Sequence, residues 1–282
     1  MTPQIGALLV ALDNLQQRVT LDKAHRYRVD RLGMPGVTTI IRVKDAPALD
    51  RWKVRVQVEG TARAAWRNPP DRNRWDYEDE SELLAAEVAY IDLLAQIAKE
   101  EYEHDRIANA AADVGQQVHA LIEHEMRKQL GQPTGEPEVG DAALFAFAGF
   151  KEWQEKVKLQ PLMAEGRVYH AAAGFCGTVD ALCLMDGEPM VLDWKPTPSL
   201  WAERRLQSAA YRKALTSLGW PEMRGAIVCL PRDGGEIAML ETEKPGPELD
   251  DCFEAFLALL RVYRWEADLA KRERKAAKEE AA

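Results

Sequence analysis

The stretch GTVDALCLMDGEPMVLDWK runs from Gly177 to Lys195, with Val- and Leu-rich runs on both sides of Asp186-Gly187. An Asp-Gly pair between two such runs is a strong local signal for a β-hairpin with a two-residue turn. If these two residues form the turn, counting outward in step places Asp180 directly opposite Asp193. The sequence therefore predicts two carboxylates side by side on one hairpin.

Side chains alternate along a strand, so Thr178 and Lys195 would share the face of Asp180 and Asp193. Carboxylates on opposed residues, with Cβ atoms about 4.5–5.5 Å apart, destabilise a sheet. A hard divalent cation offsets this repulsion, and Mg²⁺ is typically held by one or two carboxylates. Lys195 would lie at the rim, placed to polarise an attacking water or to stabilise charge on a phosphate. The alternative is an exposed hairpin with a solvated Asp and Lys.

Composition bounds the class of protein. The chain has 282 residues, of which 46% are hydrophobic and 29% charged, as is typical of a globular protein. The first apolar stretch, residues 5–12, lacks a preceding basic residue, and no apolar run is long enough to span a bilayer. We therefore expect a cytoplasmic protein without a membrane partner. The four cysteines show no zinc-type spacing, so buried free thiols are the expectation.

Charge is unevenly distributed along the chain. The net charge of −9 argues against a protein that coats nucleic acid indiscriminately. Residues 18–74 nevertheless carry 14 Lys and Arg against 6 Asp and Glu, while residues 76–105 carry 11 acids and a single Lys. This asymmetry fits a segment that faces a polyanion, and equally two solvated surfaces of opposite sign.

Within the basic segment, arginines alternate with tryptophan over residues 62–76. Guanidinium groups bind phosphates, and indole rings stack on unpaired bases. This makes the stretch a candidate DNA contact, and the alternative, an Arg/Trp loop packed on its own domain, is favoured at least as strongly. The candidate residues are Arg63, Arg67, Arg72, Arg74 and Trp66.

Hydrophobic periodicity and turn residues predict the remaining elements. Helices are expected at residues 5–19, 79–103, 113–130, 141–158, 202–218 and 250–278. Strands or extended segments are expected at residues 37–43 and 52–58, and strands at 163–170, 225–230 and 236–240, besides the hairpin. Asp113 is the expected cap of the third helix. Phe145, Phe147, Phe150 and Trp153 are expected to reach the core from the fourth.

Five landmarks then follow in order: a helical histidine, a glutamate before the hairpin, a Gly-x-x-Asp strand, an Asp-x-Lys strand and a Gln-x-x-x-Tyr helix. They are His119, Glu165, Gly177 with Asp180, Asp193 with Lys195, and Gln207 with Tyr211. Across residues 114–230 this order closely resembles the RecB-like branch of the PD-(D/E)XK nuclease superfamily, especially the single-domain exonucleases of bacteriophages. Each landmark is weak alone, and the ordered set is fairly specific.

The resemblance implies a restriction-endonuclease-like α/β (α+β) fold, in which helices flank a central mixed β-sheet. The nuclease core would span residues 106–245. An N-terminal helical and extended region would occupy residues 1–105, including the basic segment 18–74. A charged helix would close the chain at 246–282.

The resemblance also implies a metal site. Asp180, Asp193 and the backbone carbonyl of Trp194 would hold Mg²⁺ or Mn²⁺, with His119 as a further ligand. Glu165 would bind a metal or order its waters. Phosphodiester hydrolysis fits this set, because a metal lowers the pKa of bound water and neutralises the phosphate.

Three further residues receive roles by the same resemblance. Lys195 would orient and activate the attacking water, while Gln207 and Tyr211 would shape the site and touch the DNA strand. Many relatives carry a four-cysteine iron–sulfur cluster, and the cysteine spacing here departs from that pattern. We therefore expect no iron–sulfur cluster.

The function expected from this resemblance is metal-dependent DNA exonuclease activity, for phage-type recombination or DNA end processing. The DNA partner would be linear duplex or single-stranded ends, and the sequence leaves open a single-strand annealing protein as a further partner. For a phage-encoded chain the location would be the host cytoplasm. The alternatives are a structure-selective or sequence-specific endonuclease, and a catalytically silent nuclease-fold subunit that binds DNA.

Overall fold

The computed structural model describes residues 3–44, 56–58, 61, 88–92, 103–195, 200–231 and 235–280. The chain forms two compact units, one of Met1–Lys44 with Gly115–Ala282 and one of Asp45–Val114. In the second unit the described residues are helical, including 56–58 of the stretch expected as a strand. The domain boundaries expected at residues 105 and 245 stay predictions.

A five-stranded mixed sheet forms the centre of the first unit. In spatial order its strands are β4 (Gln160–His170), β5 (Phe175–Met185), β6 (Glu188–Lys195), β7 (Arg224–Cys229) and β8 (Ala238–Glu241). Strands β6 and β7 are parallel, and the other neighbours are antiparallel. The predicted fold class, a central mixed sheet flanked by helices, is confirmed.

The hairpin β5–β6 has the predicted turn and register. Asp186 and Gly187 both have positive φ, 53° and 82°, as a two-residue type I′ turn requires. Met185 pairs with Glu188, and the ladder continues in step as far as Ala181 and Leu192. The next residues along the two strands are Asp180 and Asp193.

Six helices of the described chain accompany the sheet. They are α1 (Pro3–Arg18), α2 (Val37–Ile41), α3 (Glu103–Gln129), α4 (Asp141–Lys156), α5 (Ala202–Ser217) and α6 (Pro247–Glu280). Helices α1, α2, α5 and α6 contribute to one apolar cluster with the sheet. On α4, Phe150 packs edge-on against Trp194 of β6, with ring centroids 5.5 Å apart. None of the helices in the described part of the chain has the length and apolarity needed to cross a membrane.

Residues 37–43, expected as a strand, instead form helix α2. Val37, Ile40 and Ile41 are buried at a spacing of three and four, so helix geometry puts all three on one face against the core. Burial therefore overrides the strand preference of β-branched residues.

Two further expectations about helices are wrong. Helix α3 begins at Glu103 and runs through Asp113, so Asp113 is not an N-cap residue, because the preceding Ala110–Ala112 run favours continuation of the helix. On α4, Phe145 is 58% exposed rather than in the core. The inward face of that helix is formed by Ala143, Ala146 and Phe150.

An antiparallel three-stranded sheet, which the sequence did not predict, lies after α1. Its strands are β1 (Val19–Leu21), β2 (Tyr27–Val29) and β3 (Leu32–Met34). Val19 and Val29 pair and pack with Leu15 and Cys176 in a small apolar cluster. Strands of three residues are too short for their alternation to stand out in a sequence.

Candidate metal centre

Three carboxylates lie side by side on neighbouring strands of the large sheet. The residues that flank Glu165 on β4 pair with those that flank Asp180 on β5, so these two residues face each other. The hairpin register then brings Asp180 next to Asp193 on β6. Strand register alone therefore aligns the three predicted acidic residues.

The backbone at Glu165 is unusual for a strand. Its φ is +46°, a left-handed conformation that costs of order 1–3 kcal/mol in a residue other than glycine. At Gly166 a Cβ atom would lie 1.9 Å from Met163 Sδ, so a side chain there would displace a buried methionine. Such strain persists where the surrounding structure enforces it, and it is typical of functional sites.

His119 of α3 completes a group of possible metal ligands with two of the carboxylates. Its Nδ1 lies 3.9 Å from Glu165 Oε1 and 3.8 Å from Asp180 Oδ2. One ligand atom from each of the three residues lies within 4.8 Å of the others. A metal ion could therefore be held by one imidazole nitrogen and two carboxylate oxygens.

Hydrogen bonding favours one arrangement of the His119 ring. Nε2 lies 3.0 Å from the carbonyl oxygen of Trp194, which can only accept, so Nε2 carries a proton. In the neutral ring the lone pair of Nδ1 then faces the two carboxylates. Burial lowers the pKa of His119, but the carboxylates of Glu165 and Asp180 outweigh it, so that its pKa is raised.

Asp193 and Lys195 form the second part of the site. Lys195 Nζ lies 2.7 Å from Asp193 Oδ2 and donates to the Trp194 carbonyl at 3.2 Å. Asp193 Oδ1 has no hydrogen-bond partner among the described residues. Because the Trp194 carbonyl accepts from both Lys195 and His119, its role as a metal ligand stays a prediction.

The electrostatics of the site reflect crowded charge in a buried place. Burial raises the pKa of Asp193 to about 6, the charge of Asp180 adds to the rise, and Lys195 opposes it. Burial also raises the pKa of Asp180, whose Oδ2 accepts a hydrogen bond from the Trp194 backbone N–H at 2.9 Å. Burial lowers the pKa of Lys195, and Asp193 and Asp180 reverse this, so the amine stays protonated at neutral pH.

The Gln-x-x-x-Tyr pair lies on α5 beneath β5. Gln207 Nε2 donates to the Tyr211 hydroxyl at 3.0 Å, and Tyr211 is only 3% exposed. A Cβ atom at residue 177 would lie 2.4 Å from the Tyr211 ring, so Gly177 is needed for this close approach. This packing explains the glycine of the Gly-x-x-Asp strand. Contact of Gln207 and Tyr211 with DNA stays a prediction.

A groove of about 550 Å³ extends from Glu165 between α1, α3 and β4. Glu123 and Arg127 line it, on the same face of α3 as His119. Thr178 also lines it and shares a 2.8 Å hydrogen bond with the hydroxyl of Tyr27. Sequence reasoning missed Tyr27, because no local signal reports a contact across 151 positions.

The remaining predictions concern the DNA contacts and the cysteines. The candidate DNA contacts Arg63, Arg67, Arg72, Arg74 and Trp66 lie outside the described residues. Three cysteines are buried free thiols and the fourth is partly exposed. The expected lack of an iron–sulfur cluster stays a prediction.

Comparison with known proteins adds the following. No protein-family model and no curated protein matches this chain. The chain is similar to LHK-Exo, solved in complex with dAMP, at 16% identity and a TM-score of 0.33, covering 60% of this chain and 96% of that one. It is also similar to the structure of SSO0001, at 15% identity and a TM-score of 0.27. That likeness covers 43% of this chain and 61% of SSO0001, which is less than two thirds of its length. At TM-scores this low, the likeness supports no conclusion about function.

Proposed function

We propose that the protein is a Mg²⁺- or Mn²⁺-dependent deoxyribonuclease that hydrolyses phosphodiester bonds, acting as an exonuclease on DNA ends. The observation that carries this proposal is the row of Glu165, Asp180 and Asp193 across three strands, with Lys195 beside it. The ordered motifs that resemble RecB-like nucleases agree with it.

The donor set fits the proposed metal. Two carboxylates and one imidazole nitrogen converge at His119, Glu165 and Asp180, and Asp193 offers a buried oxygen without a hydrogen-bond partner in the described chain. Carboxylates suit Mg²⁺ and Mn²⁺, and the single imidazole is better tolerated by Mn²⁺. When bound, such an ion supplies an activated water and charge neutralisation at the phosphate.

The side chains of the protein would perform the remaining tasks. Lys195 is a cation held in place by Asp193, so it can donate a hydrogen bond but cannot accept a proton. It would therefore stabilise charge that develops on the phosphate and hold the attacking water. His119 would be oriented by its bond to the Trp194 carbonyl, an outer contact of the kind that tunes metal ligands.

The test compares linear with covalently closed circular DNA of the same sequence, with Mg²⁺ or Mn²⁺ and with EDTA. We expect loss of the linear form only, and only with metal. Lys195→Ala and Asp193→Ala should each lower the rate by about 10²–10³-fold, as loss of a transition-state contact does. The control is Lys151→Ala, which removes a partly exposed ion pair with Glu125 and should leave the rate unchanged.

Each other outcome has a defined meaning. Cleavage of circles would assign an endonuclease, and binding of DNA without metal-dependent cleavage would assign a silent DNA-binding subunit. Cleavage by folded Lys195→Ala at the wild-type rate would refute the proposed site.

A further inference from the structure

An exposed tryptophan lies where the chain enters α5, six residues after Lys195. Trp201 is 64% exposed, so most of its indole surface is in solvent. Single exposed apolar residues are common and need no function by themselves. The surroundings of Trp201 distinguish it from an ordinary exposed residue.

The first distinguishing feature is the cation beside the ring. The guanidinium carbon of Arg204 lies 5.5 Å from the centre of the Trp201 ring, within cation–π distance. Arg204 also lies on the same face of α5 as Gln207 and Tyr211, three and seven positions further along the helix, and Tyr211 packs against β5. In agreement with this position, burial lowers the pKa of Arg204 and the charge of Asp193 partly offsets this effect. Trp201 is thereby linked to the candidate site through one side chain.

The second feature is a fixed backbone. The Trp201 carbonyl accepts hydrogen bonds from the N–H groups of Arg204 and Arg205, at 3.0 and 3.2 Å. The Arg205 side chain donates to the Leu200 carbonyl at 3.3 Å and pairs with Glu243. The chain on both sides of the Trp201 Cα is therefore held, which lowers the entropy lost when a ligand stacks on the ring.

We propose that Trp201 stacks on an unpaired base of the DNA strand next to the scissile phosphate, while Arg204 contacts the adjoining backbone phosphate. This inference rests on the proposed nuclease function. An indole with one side against a guanidinium and most of its surface in solvent matches the stacking platforms that bind single strands, and the cation supplies the phosphate contact. The preferred substrate is then a single strand or a frayed end rather than a fully paired duplex.

The test combines an abasic scan with substitution of Trp201. Single-stranded oligonucleotides carry one abasic nucleotide at successive positions around the cleavage site. For the wild type, kcat/KM should fall about tenfold at one position, the scale of one lost base–aromatic stack. On intact DNA, kcat/KM of Trp201→Ala should be about tenfold below that of the wild type, mainly through a higher KM. An abasic nucleotide at the sensitive position should then cause no further loss, because both changes remove the same contact. Trp201→Phe should retain most of the activity.

A matched control is available on α6. Trp265 is 57% exposed, so Trp265→Ala removes an equally accessible indole, and its abasic scan should match that of the wild type. The inference is overturned if the wild type shows no position-specific loss, or if that loss persists in Trp201→Ala. If the wild type does not cleave, or if Lys195→Ala cleaves equally well, the proposed function itself fails. If the wild type cleaves and Lys195→Ala does not, but Trp201→Ala behaves like the wild type, the stacking contact is refuted and the proposed function stands.

Discussion

Two charged side chains of the described chain are buried, Asp193 at 4% exposure and Arg212 at 0%, and their surroundings differ sharply. Arg212 is surrounded by acceptors: Nε donates to the Met223 carbonyl at 2.7 Å, and Nη1 donates to the Glu243 carbonyl at 2.8 Å and to Thr242 Oγ1 at 3.2 Å. Burial lowers its pKa to about 10, so it remains a cation at neutral pH.

Asp193 has a much poorer set of partners. One oxygen lies beside Lys195, the other has no hydrogen-bond partner among described residues, and the neighbouring Asp180 repels it. Arg212 Nη2 also has no hydrogen-bond partner among the described residues, but protein acceptors bind the other two nitrogens of the guanidinium. Asp193 has a single cationic partner and in addition faces the like charge of Asp180. A bound cation would relieve this repulsion, whereas the charge of Arg212 is balanced mainly by protein oxygens.

The largest expected effect on stability is at Arg212. Arg212→Met keeps the unbranched aliphatic part of the side chain but removes the guanidinium, which leaves the Met223 and Glu243 carbonyls without their donor. Each buried acceptor without a partner costs about 1–3 kcal/mol. We expect the free energy of unfolding in urea to fall by about 3–5 kcal/mol.

Arg224→Met is the control for this substitution. Its guanidinium pairs with Glu241 at the surface, and both side chains are about two-fifths exposed. Loss of such a pair changes stability by about 1 kcal/mol or less. An equal effect of the two substitutions would contradict a structural role for Arg212.

Asp193→Asn should act in the opposite direction. The folded state raises the pKa of Asp193 from 3.8 to about 6, so ionisation at pH 7 favours the unfolded chain. Each unit of pKa difference corresponds to about 1.4 kcal/mol. In the metal-free protein with EDTA, we expect the free energy of unfolding of the variant to exceed that of the wild type by about 3 kcal/mol, although the proposed nuclease activity would be lost.

The pH dependence of this gain has a definite sign. Below pH 4, Asp193 is protonated in both states of the wild type, and the variant gains little. Between pH 4 and 6 the unfolded state ionises first, so wild-type stability falls relative to that of the variant. Above pH 6 the difference should stay constant. A constant difference across the whole range, measured by urea unfolding, would contradict the assigned cause.

His119→Ala is expected to have a smaller effect on activity. It removes one candidate ligand nitrogen but leaves the three carboxylates and Lys195 in place. We expect about a tenfold loss of cleavage at saturating Mn²⁺, and a shift of the activity titration to about tenfold higher metal concentration. His124→Ala, on the outer part of the same helix, is the matched control, and an equal loss there would contradict the assignment.

The sequence predicts best what local chemistry decides. Asp186-Gly187 defines a turn, and the turn defines a register, so the neighbourhood of Asp180 and Asp193 follows from residues only a few positions apart. The same reasoning failed at α2, where Val37 and Ile41 form a helix because the core covers one face. Strand propensity was a poor guide there because tertiary burial decided the outcome.

The parts of the site that the sequence could not predict depend on distant contacts. Glu165 was expected on a strand, but its left-handed backbone depends on how β4 packs. Tyr27 meets Thr178 only after the small sheet has formed. Arg204 and Trp201 are three positions apart, a helical spacing that could have been noticed, yet the spacing alone says nothing about exposure.

The smallest expected effect is on thermal stability when metal binds. Asp193 has an oxygen without a hydrogen-bond partner among the described residues, and His119, Glu165 and Asp180 form a possible metal site. We therefore expect Mn²⁺ to bind the folded state better than the unfolded chain. At ten times its dissociation constant, a ligand specific for the folded state adds about 1.4 kcal/mol, which raises Tm by about 2–4 °C in a domain of this size. Asp180→Asn should abolish this rise. Arg212→Lys, which changes the other buried charge, should lower Tm but keep the rise, because the Arg212 side chain binds protein acceptors outside the candidate metal site. A rise of equal size in Asp180→Asn would show that Mn²⁺ binds elsewhere, and the contrast between the two buried charges would then lose its functional meaning.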